Sequence, residues 1–148
     1  MPQRAKTDAE IEACFKVMAE LRPHLKKNQF LSTVRNMESE GFRLIYIATD
    51  NIATDNIATD NKVVAAAGYR ICSNLFMGKH LYVDDLVTAK ANRSSGYGKR
   101  MIEWLRDEAK RSNCKFLHLD SGTHRGRAHK FYFQEGFTIA SYHFSEEL

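Results

Sequence analysis

The sequence predicts an α/β (α+β) fold in which a mixed, mostly antiparallel sheet is flanked by helices. Three observations carry this. Apolar residues recur at helical spacing through the first forty positions, behind a capping box. Residues 42–88 then hold three runs rich in aromatic and β-branched side chains. Finally, a glycine turn at residues 93–98 leads into a helix–strand–helix–strand alternation.

Thr7-Asp8-Ala9-Glu10 has the S/T-x-x-E form in which two side chains satisfy otherwise orphaned N–H groups, so a first helix opens there. Ile11, Cys14, Phe15, Met18 and Leu21 form its apolar stripe, and Pro23 ends it. A second helix is predicted over 28–40, with Phe30, Leu31, Val34 and Met37 inward and Gly41 as the stop. Strands follow at 42–48, at 63–72 and, after Gly78, at 81–88. Residues 99–111 read as a helix with Met101, Ile102, Leu105 and Ala109 on one side. A short strand at 116–119, a helix at 124–135 closed by Gly136, and a last strand at 137–144 complete the reading. Antiparallel hairpins feeding one β-α-β crossover require a mixed sheet. At 148 residues this makes a single domain, 1–148.

Residues 47–61 are three identical copies of Ile-Ala-Thr-Asp-Asn. A period of five fits neither helix nor strand, and three copies are too few for a stacked solenoid. Taking two copies away joins Asn51 to Lys62 in an ordinary hairpin with an Asp-Asn turn. The tract reads as a tandem duplication lengthening a hairpin tip, where insertions are tolerated.

Composition excludes several classes. With 43% hydrophobic and 27% charged residues the chain is globular rather than disordered. No apolar run approaches the roughly 18 residues of a membrane span, and the first six residues lack the apolar core of a secretory signal, so the expected location is cytoplasmic. Cys14, Cys72 and Cys114 are odd in number and far apart, which argues against disulfides and against zinc. Cys14 and Cys72 read as buried free thiols. The histidines form no H-E-x-x-H pair, so no metal is expected. The net charge of +4 is mild, but it concentrates in Lys90, Arg93, Lys99 and Arg100, then in Arg125, Arg127 and Lys130. Such clusters suit a phosphorylated small ligand or a solvated face, and neither a nucleic-acid nor a membrane partner is expected.

Arg93-Ser94-Ser95-Gly96-Tyr97-Gly98 sits between a predicted strand and a predicted helix. Glycine lets backbone approach a ligand closely, and the unsatisfied N–H groups of a first helical turn favour an anion. Taken alone, the motif also fits a simple turn. It is not a P-loop, because Gly98 is followed by Lys99-Arg100 rather than Lys-Ser/Thr. It does not open a dinucleotide fold either, lying behind antiparallel strands.

Leu81-Tyr82-Val83-Asp84-Asp85-Leu86-Val87-Thr88 followed by this turn resembles the fourth strand and coenzyme loop, Q/R-x-x-G-x-G/A, of the GNAT N-acetyltransferase superfamily. Further on, residues 128–137 are similar to that family's A-x-x-x-Y-x-x-x-G-F helix end, and the local likeness is greatest to polyamine-type acetyltransferases. The resemblance implies that the fourth and fifth strands splay apart around acetyl-CoA, the co-substrate. It implies that Leu86, Val87 and Thr88 pair with pantetheine as an added strand would. It further implies that Arg93, Ser94, Ser95, Gly96, Tyr97, Gly98 and Lys99 hold the pyrophosphate. Transfer would be direct to an amine, without an acyl-enzyme. Residues 19–25 fall where family members often build a wall of the acceptor site. The chain departs from the pattern at Arg125, where many relatives carry asparagine; an arginine there can still meet a coenzyme phosphate.

The residue types fit this chemistry. An alkylamine is mostly protonated at pH 7, and freeing it costs roughly 4–5 kcal/mol. A nearby carboxylate attracts the cation and takes its proton, directly or through water. Asp84 and Asp85 are the candidates; on a regular strand they alternate, so only one faces the cleft unless a bulge intervenes. Either also reads as a paired surface acid. Tyr132 stands at the family's position for the acid that protonates the departing thiolate, although its place on an apolar stripe also suits a packing role.

The resulting expectation is an acetyl-CoA-dependent N-acetyltransferase acting on a cationic small-molecule primary amine; the oligomeric state is left open, homodimers being common in the family. Two other readings stand beside it: an inactive acyl-CoA-binding module and a protein-lysine acetyltransferase. Removing residues 52–61 is expected to leave turnover and melting temperature nearly unchanged. A large loss of turnover at unchanged stability would show that the duplicated tract is a binding surface instead.

Overall fold

In the computed structural model, which describes residues 1–49 and 62–148, helix α1 (Asp8–Leu21) starts at the capping box. Thr7 Oγ1 accepts the Glu10 N–H at 3.3 Å, and Glu10 Oε2 accepts the N–H groups of Thr7 and Lys6, each at 2.8 Å. Burial alone would raise the Glu10 carboxyl, but these backbone donors outweigh it and hold the group below its ordinary range. Helix α2 (Lys27–Ser39) follows, and α1 and α2 pack on each other.

The strands are β1 (Gln3–Arg4), β2 (Phe42–Ala48), β3 (Val63–Asn74) and β4 (Gly78–Thr88), followed after helix α3 (Tyr97–Arg111) by β5 (Phe116–Leu119). They form one sheet in the order β1-β2-β3-β4-β5, with the first four antiparallel. Lys115 N–H donates to Lys79 O at 2.8 Å, and the His118 ring lies 4.9 Å from His80 and 5.0 Å from Tyr82. β5 therefore runs alongside β4 in the same direction, and β4 continues past that contact to Thr88. The mixed, mostly antiparallel sheet flanked by helices is the fold class the sequence predicts. Ala48 lies opposite Val63, and Thr49 N–H donates to Lys62 O at 3.2 Å, which sets the base of the β2–β3 connection. From residue 50 to 61 the repeated tract lies outside the described residues.

Strand alternation sorts the core. Phe42, Leu44 and Tyr46 on β2, with Ala66 on β3, join Ile11, Cys14, Phe30 and Val34 on the α1/α2 side. Tyr69 faces the other way and meets Trp104 of α3 edge to face at 5.9 Å. Met101, Ile102, Leu105 and Ala109 are the buried face of α3, as their spacing predicts.

The β3–β4 ladder carries an irregularity. Gly68 pairs with Asp85 and Tyr69 with Val83, so Asp84 is an extra residue, a β-bulge. Gly68 is the reason the neighbourhood packs. A Cβ there would overlap Cε2 and Cζ of Phe42, whose ring is buried over the glycine.

The chain divides into two compact units, Met1–His118 and Leu119–Leu148. In the second, helix α4 (Gly126–Gln134) ends in a Schellman turn. Gly136 takes φ +83°, its N–H donates to Phe133 O at 3.0 Å, and Phe137 N–H donates to Tyr132 O at 3.0 Å. The Tyr132 and Phe137 rings meet at 5.8 Å.

Two expectations are corrected. The predicted strand at 137–144 does not form: residues 137–148 carry neither helix nor strand, and Ile139, Tyr142 and Phe144 are exposed. Alternation says which side chains would share a face, but a strand also needs a backbone ladder, which propensity does not supply. Cys72 is exposed rather than buried, because it lies toward the uncovered end of β3. Cys14 is buried, and burial pushes its thiol up to about 12.

Gly68→Ala is expected to destabilise the protein by about 1–3 kcal/mol, the usual range for overpacking. Urea unfolding measures it, and an unchanged midpoint would mean that Phe42 has room to move.

Candidate active site

The strand β4 delivers the chain to the glycine turn. Ala89 N–H extends the sheet pairing to Val64 O at 2.8 Å, and a short 3-10 turn (Lys90–Asn92) follows. Glu20, in the last turn of α1, accepts the Lys90 N–H at 2.7 Å and ties the end of that helix to the start of the turn. Ser94 takes φ +66° and Gly96 φ +79°, a conformation uncommon for serine and natural for glycine.

Gly96 is the N-cap of α3 and brings no side chain to cap it. Arg100 N–H reaches Gly96 O at 3.1 Å, while the N–H groups of Tyr97, Gly98 and Lys99 precede any intrahelical acceptor. The first turn holds no acidic residue, yet Lys99 and Arg100 sit in it. Cations at a helix N-terminus oppose the helix dipole by about 0.3–1 kcal/mol each. An anion bound there would reverse that sign. Arg100 also lies over the Tyr97 ring, 5.7 Å from its centroid. Arg93, Ser94, Ser95, Lys99 and Arg100 are exposed.

The bulge places both acids on the α1/α2 side of the sheet. Asp85 shares the face of Gly68, and Asp84 bonds Arg70, which lies over the Phe42 ring at 5.6 Å. Arg70 Nε donates to Asp84 at 3.1 and 3.2 Å, and its Nη1 donates to Glu40 O at 3.2 Å. Burial raises the Asp84 carboxyl, and the Arg70 guanidinium offsets this only in part. Asp85 is bonded at 2.8 Å by Arg22 Nε, and Arg22 Nη2 also reaches Asp84 O at 3.4 Å. Arg22 caps the C-terminus of α1, within the 19–25 segment. The sequence does not reveal these arginine partners, since neither 63-residue nor 14-residue separations leave a local signal.

Leu86, Val87 and Thr88 pair with Ala67, Ala66 and Ala65 on β3. These small side chains keep that end of the sheet slim. In the second unit Tyr132 is half-buried, and burial raises its phenol with Arg125 acting in the opposite direction. The group is thus held protonated at neutral pH. Arg125 is the exposed N-cap of α4. No helix among the described residues is long and apolar enough to cross a membrane.

The sequence profile of the Acetyltransferase (GNAT) family matches residues 17–137. The uncharacterised N-acetyltransferase YhdJ of Bacillus subtilis (strain 168) is 31% identical over 135 residues, covering 90% of this chain and 89% of the relative. Among solved structures, an acetyltransferase of Trypanosoma brucei superposes with a TM-score of 0.78 at 18% identity, over 100% of this chain and 99% of that one. AAC(6')-Iy, solved with the bisubstrate analogue CoA-S-monomethyl-acetylneamine, gives 0.78 at 11% identity, over 100% and 97%. The chain belongs to the GNAT family, whose members are acetyl-CoA-dependent N-acetyltransferases.

Proposed function

We propose that the protein moves the acetyl group of acetyl-CoA directly onto the primary amine of a cationic small molecule, within a single domain spanning 1–148. The observation that carries this is the end of β4: a paired-acid bulge and, a few residues on, a helix start whose N–H groups and cations await an anion. The pyrophosphate of the coenzyme lies on residues 93–99, with Arg125 as a further phosphate contact, and its pantetheine runs along Leu86–Thr88 by strand addition. Asp84 and Asp85 attract the amine and take its proton. Tyr132 donates its phenolic proton to the departing thiolate. The Schellman turn supports this role by fixing the tyrosine through Phe137. Small-molecule acceptors are supported by the acetylneamine moiety of the analogue bound to AAC(6')-Iy. Three free cysteines fit a reducing, cytoplasmic setting.

One observation favours a second reading, an acyl-CoA-binding module without turnover: both acids are already paired with arginines. Thiol release from acetyl-CoA across a panel of amines separates the two. Amine-dependent release supports the transferase; saturable binding without release for every amine supports the module.

Tyr132→Phe is expected to lower turnover roughly a hundredfold while acetyl-CoA affinity changes less than about threefold. Equal turnover would remove the general-acid assignment. Gly98→Asp is expected to abolish coenzyme binding by calorimetry while leaving the melting temperature unchanged or higher, because an acid in the first turn suits the bare helix. Retained affinity would place the pyrophosphate elsewhere.

A further inference from the structure

We propose that Arg22 is an anion-binding subsite of the acceptor site, and that the acceptor is an amine carrying an acidic group on the same short chain. This rests on the transferase reading above and, within it, replaces a purely cationic acceptor by an amine whose ammonium is balanced by its own anion.

The two arginines that meet the acid pair are not equivalent. Arg70 is held on several sides, by Asp84, by the Glu40 carbonyl, by the Glu40 carboxylate at 3.7 Å and by the Phe42 ring, and its side chain is 24% exposed. That pairing is part of the fold. Arg22 contacts one carboxylate, Asp85, plus a long bond to the Asp84 carbonyl, and its side chain is 45% exposed. Asp85 itself is 13% exposed, so the acid is sheltered and its arginine is the group reachable from solvent. Arg22 also stands at the C-terminus of α1, whose dipole favours a cation with or without the carboxylate. It can therefore release Asp85 without being left uncompensated.

Charge balance sets what can enter. The Glu40 carboxylate beside Arg70 is 71% exposed and screened by water, so within the half-buried part of the cluster Arg22 and Arg70 balance Asp84 and Asp85. An ammonium that takes Asp85 from Arg22 adds one positive charge to a half-buried group already neutral. An acceptor that brings its own anion restores the balance: its ammonium replaces the guanidinium on Asp85, and its acidic group takes the freed guanidinium. The planar fork of arginine matches a carboxylate or phosphonate in two parallel bonds. Because Arg22 and Asp85 are in contact at 2.8 Å, the two groups of the acceptor must lie close together, as on a short aliphatic chain. A polyamine, positive at both ends, fits this arrangement worst.

Thiol release from acetyl-CoA tests this with three probes of matched length: an ω-amino acid or aminoalkylphosphonate, the plain alkylamine, and the diamine. The wild type is expected to favour the acidic amine by at least about tenfold in kcat/KM. In Arg22→Gln that preference should fall by at least about tenfold, mainly through a raised KM for the acidic amine. A wild type that prefers the diamine, or a variant that loses all three probes in proportion, overturns the inference and leaves the transferase reading standing. No release with any probe, with acetyl-CoA still bound, overturns the transferase reading and this inference with it. Melting curves of the variant identify a loss caused by unfolding, and in that case Arg22→Lys, which keeps the charge and removes the fork, is expected to lose the preference while remaining folded.

Discussion

The missing side chain at Gly68 is the constraint on which the centre of the sheet depends. Its empty position receives the Phe42 ring, the ring carries Arg70 on its face, and Arg70 holds Asp84. Directly across the ladder stands Asp85, and the bulge between the two pairs turns Asp84 to the same side. A side chain at residue 68 would displace the aromatic ring and, through it, the acid pair. Packing and electrostatics are thus set by one position. The desolvation of Asp84 follows from the same crowding, and it leaves the carboxyl raised despite its arginine.

The start of α3 shows a different balance. A helix built only for stability would open with an acid and a capping side chain, as α1 does with Thr7 and Glu10. Instead α3 opens on a left-handed glycine with cations in its first turn. Two helices of the same fold thus begin under opposite rules. α2 and α4 also open without a side-chain cap or a first-turn acid, so what sets α3 apart is the left-handed Gly96 at its N-cap. A polyanion would supply the missing charge and accept the waiting N–H groups together.

Much of this was legible in the sequence. The capping box, the apolar stripes of α1, α2 and α3, and the strand 42–48 are local signals, and each element forms where its signal stands. The acid pair on β4 and the glycine turn before α3 stand in the sequence as short motifs, but only the family resemblance gave them a role. What was not legible depends on partners. Whether Asp84 and Asp85 share a face turns on a register shift beside Gly68 of the neighbouring strand, and alternation within β4 alone leaves it open. Arg22 and Arg70 reach the acids from another helix and another strand, with no spacing rule to announce them. Residues 137–144 have the alternation of a strand and do not form one, since alternation cannot supply a ladder. Conversely, the G-F pair after Tyr132 gains a physical meaning in the structure, because Gly136 turns the chain so that Phe137 packs on the tyrosine.

In the proposed reaction β4 brings an amine-binding acid pair and a phosphate-binding helix start to one coenzyme. Backbone amide NMR tests this most directly, with the protein titrated first with CoA and then with CoA tethered to an alkylamine. CoA should shift the amides of residues 95–99 and 86–88 most, and the tethered amine should add Asp84, Asp85 and Arg22. Saturable binding of both ligands that leaves these amides unmoved would contradict it.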